Sequence, residues 1–134
     1  MSNIKIYACG PINGCHNNEC LIWRNELRAG FVDSDYDIVD PLRRDYRGVE
    51  LENLNEIVTL DKVDIDKCDI IFANCLRPSA GTSMEIMYSF MKNKPIVSLI
   101  GVDSPVSPWI KYHSTITVLS ISSGINWIKN KINK

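Results

Sequence analysis

An α/β sandwich around a five-stranded parallel sheet is the fold class this sequence predicts. Short apolar runs alternate with helix-spaced amphipathic segments along the chain, and five of the runs have strand length and strand composition. That alternation implies right-handed crossovers and a parallel sheet covered on both faces. The length of 134 residues suits a single domain, 1–134, around one core. A five-stranded sheet of this kind makes a flavodoxin-like or Rossmann-like three-layer sandwich. Such folds bind ligands beyond the carboxyl ends of their strands.

Taken in order, "IKIYAC" (4–9) reads as a buried strand. A helix over 18–31 follows, with Leu21, Ile22, Leu27 and Phe31 as its apolar positions. "YDIVDP" (36–41) is a second strand, stopped by Pro41. Residues 42–53 are polar and read as a long loop, of a length that suits a lid or, equally, plain surface. A helix over 54–68 carries Leu54, Ile57, Val58, Ile65 and Cys68 on one face; Asp61 falls within that stripe, while Asp64 and Asp66 fall off it. "DIIFANC" (69–75) is a third strand. A helix over 81–94 is expected to bury Met84, Met87, Tyr88 and Met91 and to end before Pro95. Strands over 95–101 and 115–121 and an amphipathic helix over 124–134 complete the order. The fold then brings three loops to one end of the sheet, at 9–17, 75–81 and 101–108.

Composition narrows the function classes. Hydrophobic residues make up 45% of the chain and charged residues 23%, as in an ordinary globular domain. A net charge of −1 offers no field for a nucleic-acid polymer or an anionic membrane. No apolar run approaches the roughly 18 residues of a membrane span. The opening "MSNIKIYACG" lacks the apolar segment of a secretory signal, so a cytoplasmic address is expected. The cysteines number five, an odd count with irregular spacing, which reads as reduced thiols. Cys9, Cys15, His16 and Cys20 invite a zinc reading, but the segment has no CxxC pair, and neither metal nor cofactor is expected. "CGPING" (9–14) is neither a GxGxxG nor a P-loop fingerprint, no GxSxG elbow exists, and His113 reads as structural or surface.

Two carboxylates stand where a surface acid has no reason to be. Asp61 interrupts an apolar stripe, so it must find partners, hold a proton or line a cavity. Glu85 follows "RPSAGTSM", in which Ser79 or Thr82 can cap a helix and Gly81 lets the backbone approach a ligand. Near a helix N-terminus the helix dipole favours an ionised carboxylate. A capping or surface glutamate, and a tilted helix that leaves Asp61 in water, are the plain alternatives. As a pair, an ionised carboxylate that attacks an anomeric carbon and a protonated one that releases the leaving group follow the logic of retaining glycosidases. That logic extends to N-glycosidic bonds.

In these motifs the chain resembles the nucleoside 2-deoxyribosyltransferase family, including its branch of nucleoside 5′-monophosphate N-glycosidases. "IYACGPING" (6–14) resembles the family's first strand and glycine loop. "DKVDIDKCDIIFAN" (61–74) resembles its Asp followed by the third strand, "SAGTSMEIMYSF" (79–90) its Gly-x-x-x-Glu helix start, and "SPWI" (107–110) its late serine loop. The resemblance implies that Glu85 is a nucleophile forming a covalent glycosyl-enzyme, that Asp61 is the acid for the departing base, and that Tyr7 positions Glu85. It implies substrate contacts from Gly10, Ile12, Asn13, Ser79, Gly81 and Ser107. It also implies a small-molecule nucleoside or nucleotide as substrate, and a homodimer or larger assembly in which Ser107 reaches a neighbouring chain's site. Ser79 stands where the transferases carry Asp, as in the hydrolase branch; Pro11 and Asn13 stand where that branch has Ser and Arg. The expected activity is cleavage of a (2′-deoxy)nucleoside 5′-monophosphate to free base and sugar phosphate, with base exchange between deoxynucleosides as the alternative. Two readings of other classes are a non-catalytic nucleotide-binding module, for which two such acids have no use, and a flavodoxin-like signalling domain, which a flavin spectrum would reveal.

Overall fold

The computed structural model describes residues 3–12, 14–32, 35–103 and 105–132. Five parallel strands form one sheet in the order β2-β1-β3-β4-β5. They are β1 (Ile4–Cys9), β2 (Tyr36–Val39), β3 (Ile70–Asn74), β4 (Ile96–Leu99) and β5 (Ile116–Val118). The helices are α1 (Asn17–Gly30), α2 (Leu54–Lys67), α3 (Ala80–Met91), α4 (Pro108–His113) and α5 (Ile121–Ile132). This strand order is that of the flavodoxin-like sandwich. No helix among the described residues is long and apolar enough to cross a membrane.

The two-residue period of the strands divides the core into two clusters. Ile6, Ala8, Ile70 and Phe72 face one side and pack on Trp23, Leu27 and Phe31 of α1 and its end and on Ile121, Ile125 and Ile128 of α5. Tyr7, Cys9, Ile71 and Ala73 face the other side, with Ile65, Cys68 and Ile86 from α2, its end and α3. The same alternation therefore sends Tyr7 and Cys9 toward α2 and α3. A register slip of one residue would send them to the opposite face.

Three expectations about faces are corrected. On α1, Leu21 and Ile22 are exposed, and the buried positions are Cys20, Trp23, Arg24 and Leu27. The spacing is helical, but one member of the stripe is an arginine. Arg24 is fully buried, with Nε 3.0 Å from Asp40 Oδ1 and with its guanidinium donating to the Cys20 and Gly10 carbonyls at 2.8 and 3.2 Å. A buried charge so fully partnered is tolerable in the core. On α3, Met84, Met87 and Met91 point outward, and the buried stripe is Thr82, Ile86 and Ser89. Two of these three are polar, and the Ser89 hydroxyl is satisfied by donating to the Glu85 carbonyl at 2.7 Å. On α2, Asp64 is buried and belongs to the inward stripe, whereas Leu54 and Val58 are exposed and line a cavity.

The segment expected to be a loop at 42–53 contains two 3-10 turns, Pro41–Arg43 and Leu51–Asn53. Asp40 caps the first through Leu42 N at 2.9 Å. Helix α4 falls where a loop is expected; Ser107 caps it and Pro108 occupies its first position.

Candidate active site

Strand order reverses between β1 and β3, and the loops that leave these strands diverge there. Beside this point lies a cavity of about 290 Å³. Gly10, Ile12, Asp61, Ser79, Gly81 and Glu85 all line it. Asn13 lies outside the described residues.

Glu85 sits on the second turn of α3. The helix starts where it does because the Ser79 side chain accepts a hydrogen bond from Thr82 N at 3.2 Å. Both oxygens of the Glu85 carboxylate meet donors from β1. The Tyr7 hydroxyl donates to Oε2, and the Cys9 thiol lies 3.5 Å from Oε1. Burial pushes the Glu85 carboxyl up to about 7 against the pull of the Tyr7 hydroxyl, and the charge of Asp61 pushes in the same direction as burial. Burial also raises Tyr7 and Cys9 well above their ordinary values, with the Glu85 charge adding to the effect. Both therefore remain protonated donors at neutral pH.

Asp61 faces the same cavity from α2, one turn before Asp64. Arg44 Nη2 bridges them, at 3.1 Å from Asp61 Oδ1 and 2.7 Å from Asp64 Oδ2. Arg43 Nη2 is 2.8 Å from each Asp64 oxygen. The consequences for the two acids differ. Burial raises Asp61, with Arg44 opposing it. Burial likewise works on Asp64, but two arginines outweigh it and hold that carboxyl low. Asp64 thus fixes the guanidinium in place, and Asp61 is left as the acid with the greater hold on a proton.

Gly10 is required by close approach. A Cβ there would lie 2.4 Å from the Trp23 ring, so any side chain would displace the loop or the indole. Arg24 holds the Gly10 carbonyl from behind. At Gly81 an added Cβ would meet nothing within 4 Å, so the glycine leaves free space at the helix N-terminus. Ser107 is placed elsewhere. It lines a second groove, of about 720 Å³, on the other side of the start of α3, and Glu85 does not line that groove. Ser79 and Thr82 line both. His113 is buried, with Nδ1 2.7 Å from the Trp109 carbonyl, in a structural role. Cys20 faces the Pro11 and Ile12 carbonyls, and among the described residues no metal-binding group of three side chains assembles.

Sequence reasoning missed several cavity residues. Arg44, Tyr46, Arg47 and Glu50 come from the segment 42–53, and Leu51, Leu54 and Val58 supply an apolar wall. The pair Arg43-Arg44 facing acids spaced i, i+3 at Asp61 and Asp64 was the available signal. Thr82, one turn before Glu85, has a buried hydroxyl without a hydrogen-bond partner among the described residues.

The arrangement presents two carboxyls to one cavity. One is clamped by a phenol and a thiol; the other is partly desolvated and tied to an arginine. It can deliver a carboxylate to an electrophilic carbon and a proton to a leaving group.

The sequence matches no family model and no curated protein. The fold recurs in solved structures. A 2-deoxyribosyltransferase from Bacillus psychrosaccharolyticus has a TM-score of 0.73 at 17% identity, covering 91% of this chain and 90% of that one. A conserved protein from Enterococcus faecalis V583 has a TM-score of 0.75 at 17% identity, covering 97% and 99%. A CMP N-glycosidase from Clostridium botulinum has a TM-score of 0.63 at 13% identity, covering 93% and 98%. The chain has the fold of these proteins, as the resemblance in its motifs implies.

Proposed function

We propose, from this shared fold and the site it frames, that the chain is a member of the nucleoside 2-deoxyribosyltransferase family and an enzyme that cleaves N-glycosidic bonds. Its substrate is a (2′-deoxy)nucleoside 5′-monophosphate. The Glu85 carboxylate attacks the anomeric carbon as the bond to the base breaks, and Asp61 gives its proton to the departing base. Water then attacks the glycosyl ester and passes a proton back to Asp61, releasing sugar phosphate. The observation that carries this reading is a carboxylate, Glu85, that holds a hydrogen bond from the buried Tyr7 hydroxyl and lines one cavity with Asp61. A binding module needs no carboxylate held at both oxygens.

The pair must carry one proton between them: Glu85 ionised, Asp61 protonated. Each titration depends on the other, so the apparent constants belong to the pair. Activity falls at high pH when the shared proton is lost, and at low pH when both acids are protonated.

Ser79 supports the choice of a monophosphate. Its oxygen accepts from Thr82 N, which leaves the hydroxyl proton free to donate to a phosphate beside the N–H groups of the first turn of α3. Gly81 leaves room there. In its own chain Ser107 lines the other groove, which Glu85 does not line, and this fits its contribution to such a site from a second copy of the chain. The exposed apolar residues of α3 and α4, among them Met84, Met91, Trp109 and Tyr112 at 68–74% exposure, fit a homodimer formed through these helices. The second reading, base exchange between deoxynucleosides, is favoured by Pro11, which supplies no donor where the hydrolase branch has Ser. The test is incubation with a panel of nucleosides and their 5′-monophosphates, with and without an acceptor base, followed by chromatography. Free base and sugar phosphate from the monophosphates support the proposal; efficient sugar transfer from free nucleosides supports the alternative; no cleavage of any member overturns both.

A further inference from the structure

We propose that Cys9 is a positioning residue for Glu85, holding one carboxylate oxygen while Tyr7 holds the other. The inference rests on the reading of Glu85 as the nucleophile. Cys9 follows Tyr7 by two residues on β1, so the strand period points both side chains at α3. The thiol lies 3.5 Å from Glu85 Oε1. Its other neighbouring acceptor, the Thr82 carbonyl, is farther away at 3.8 Å and carries no charge. Cys9 is fully buried, so the carboxylate has no competition for the thiol proton from water.

The choice of a thiol has a chemical consequence. Each carboxylate oxygen has two lone pairs, and one donor per oxygen leaves a pair for attack. Two strong donors would stabilise the carboxylate and weaken it as a nucleophile. A thiol is a weak donor, so it fixes the direction of Oε1 with little loss of reactivity. Tyr7 supplies the strong bond and Cys9 the second point that stops the carboxylate from rotating about it.

The groups facing this carboxyl are Tyr7 and Cys9 from β1, Asp61 from α2 and Arg24 from α1, with Cys75 at the end of β3 near the thiol. A Cys9 variant leaves the rest in place, so a change in Glu85 titration reports Cys9 alone. The experiment uses protein labelled with ¹³C at glutamate carboxyls and no substrate. The Glu85 resonance is assigned by its loss in Glu85→Gln and followed through pH. In Cys9→Ala the midpoint rises by about half a pH unit to one unit, a threefold to tenfold change in ionisation. Cys9→Ser, which restores a donor, returns toward the wild type. Cys9→Val fills the thiol's space without a donor and matches Cys9→Ala, which covers the case of an alanine variant that loosens the core. A Cys9→Ala midpoint within about 0.2 of wild type, or equal shifts in the Ala and Ser variants, overturns the proposal. Absence of turnover on every nucleotide would count against the proposed function and leaves this titration readable.

Discussion

Replacing Glu85 by Gln removes a buried charge and keeps one acceptor oxygen, for Tyr7, with the amide NH2 toward the Cys9 sulfur. Its effect on stability is set by pH. The wild-type carboxyl titrates at about 7 in the folded protein against an ordinary value of 4.5. Across that interval the folded state holds a proton that the unfolded state has released, so wild-type stability falls as pH rises. At about 1.4 kcal/mol per pH unit the loss reaches about 3 kcal/mol once Glu85 is ionised. Gln mimics the protonated form at every pH and escapes the loss. Thermal melts of the two proteins should therefore nearly coincide at pH 4. At pH 8 Glu85→Gln should melt higher by about 10 °C for a domain of this size. Titrating groups remote from Glu85 are common to both proteins and cancel in the difference, so what remains belongs to Glu85 and the Asp61 coupled to it. A difference in Tm that stays constant from pH 4 to pH 8 would refute the claim that this carboxylate is held in a desolvated site. The same variant should lose turnover by on the order of 10⁴ or more, the cost of removing a nucleophile.

Asp61→Asn should slow base release by about 10²–10⁴-fold, least for bases that leave without protonation. Because Asn stands in for the protonated Asp61 of the working pair, the variant's acid limb in kcat/KM should stay close to the wild type's and its basic limb should vanish; a basic limb that persists would assign the proton to another group. Ser79→Asp puts like charge beside a 5′-phosphate and should erase or reverse a preference for monophosphates over nucleosides, read as the ratio of kcat/KM values. Trp109→Glu, on the exposed apolar face of α3 and α4, should yield monomers in light scattering and lower activity; a dimer of unchanged mass would move the interface elsewhere.

The parts of this architecture that follow from periodicity were legible in the sequence. Each of the five strands falls within the run that predicts it; Asp61 and Glu85, singled out by their settings, line one cavity, and Tyr7, which only the resemblance implies, donates to Glu85. What periodicity could not give was which face is inward when the inward residues are polar. Arg24 at a fully buried position shifted the apparent stripe of α1 toward Leu21 and Ile22. The methionines of α3 look like a core, yet the helix packs through Thr82, Ile86 and Ser89, two of them polar. Asp64 is buried against Arg43 and Arg44 from a segment about twenty residues earlier, so its signal lies in pairing two distant segments and not in the period of α2. Helix α4 was missed for its length, six residues, although the Ser-Pro pair at 107–108 is an N-cap followed by a first-turn proline.

The central claim is that Glu85 becomes covalently glycosylated during turnover. A 2′-fluorinated nucleoside 5′-monophosphate tests it, because the fluorine destabilises the oxocarbenium-like transition states and lets a glycosyl ester accumulate. Mass spectrometry of the acid-quenched protein should show one added sugar phosphate per chain, located by digestion on the peptide that carries Glu85 and absent from Glu85→Gln. Steady release of base with no adduct at any time, or an adduct on a different residue, would contradict the account.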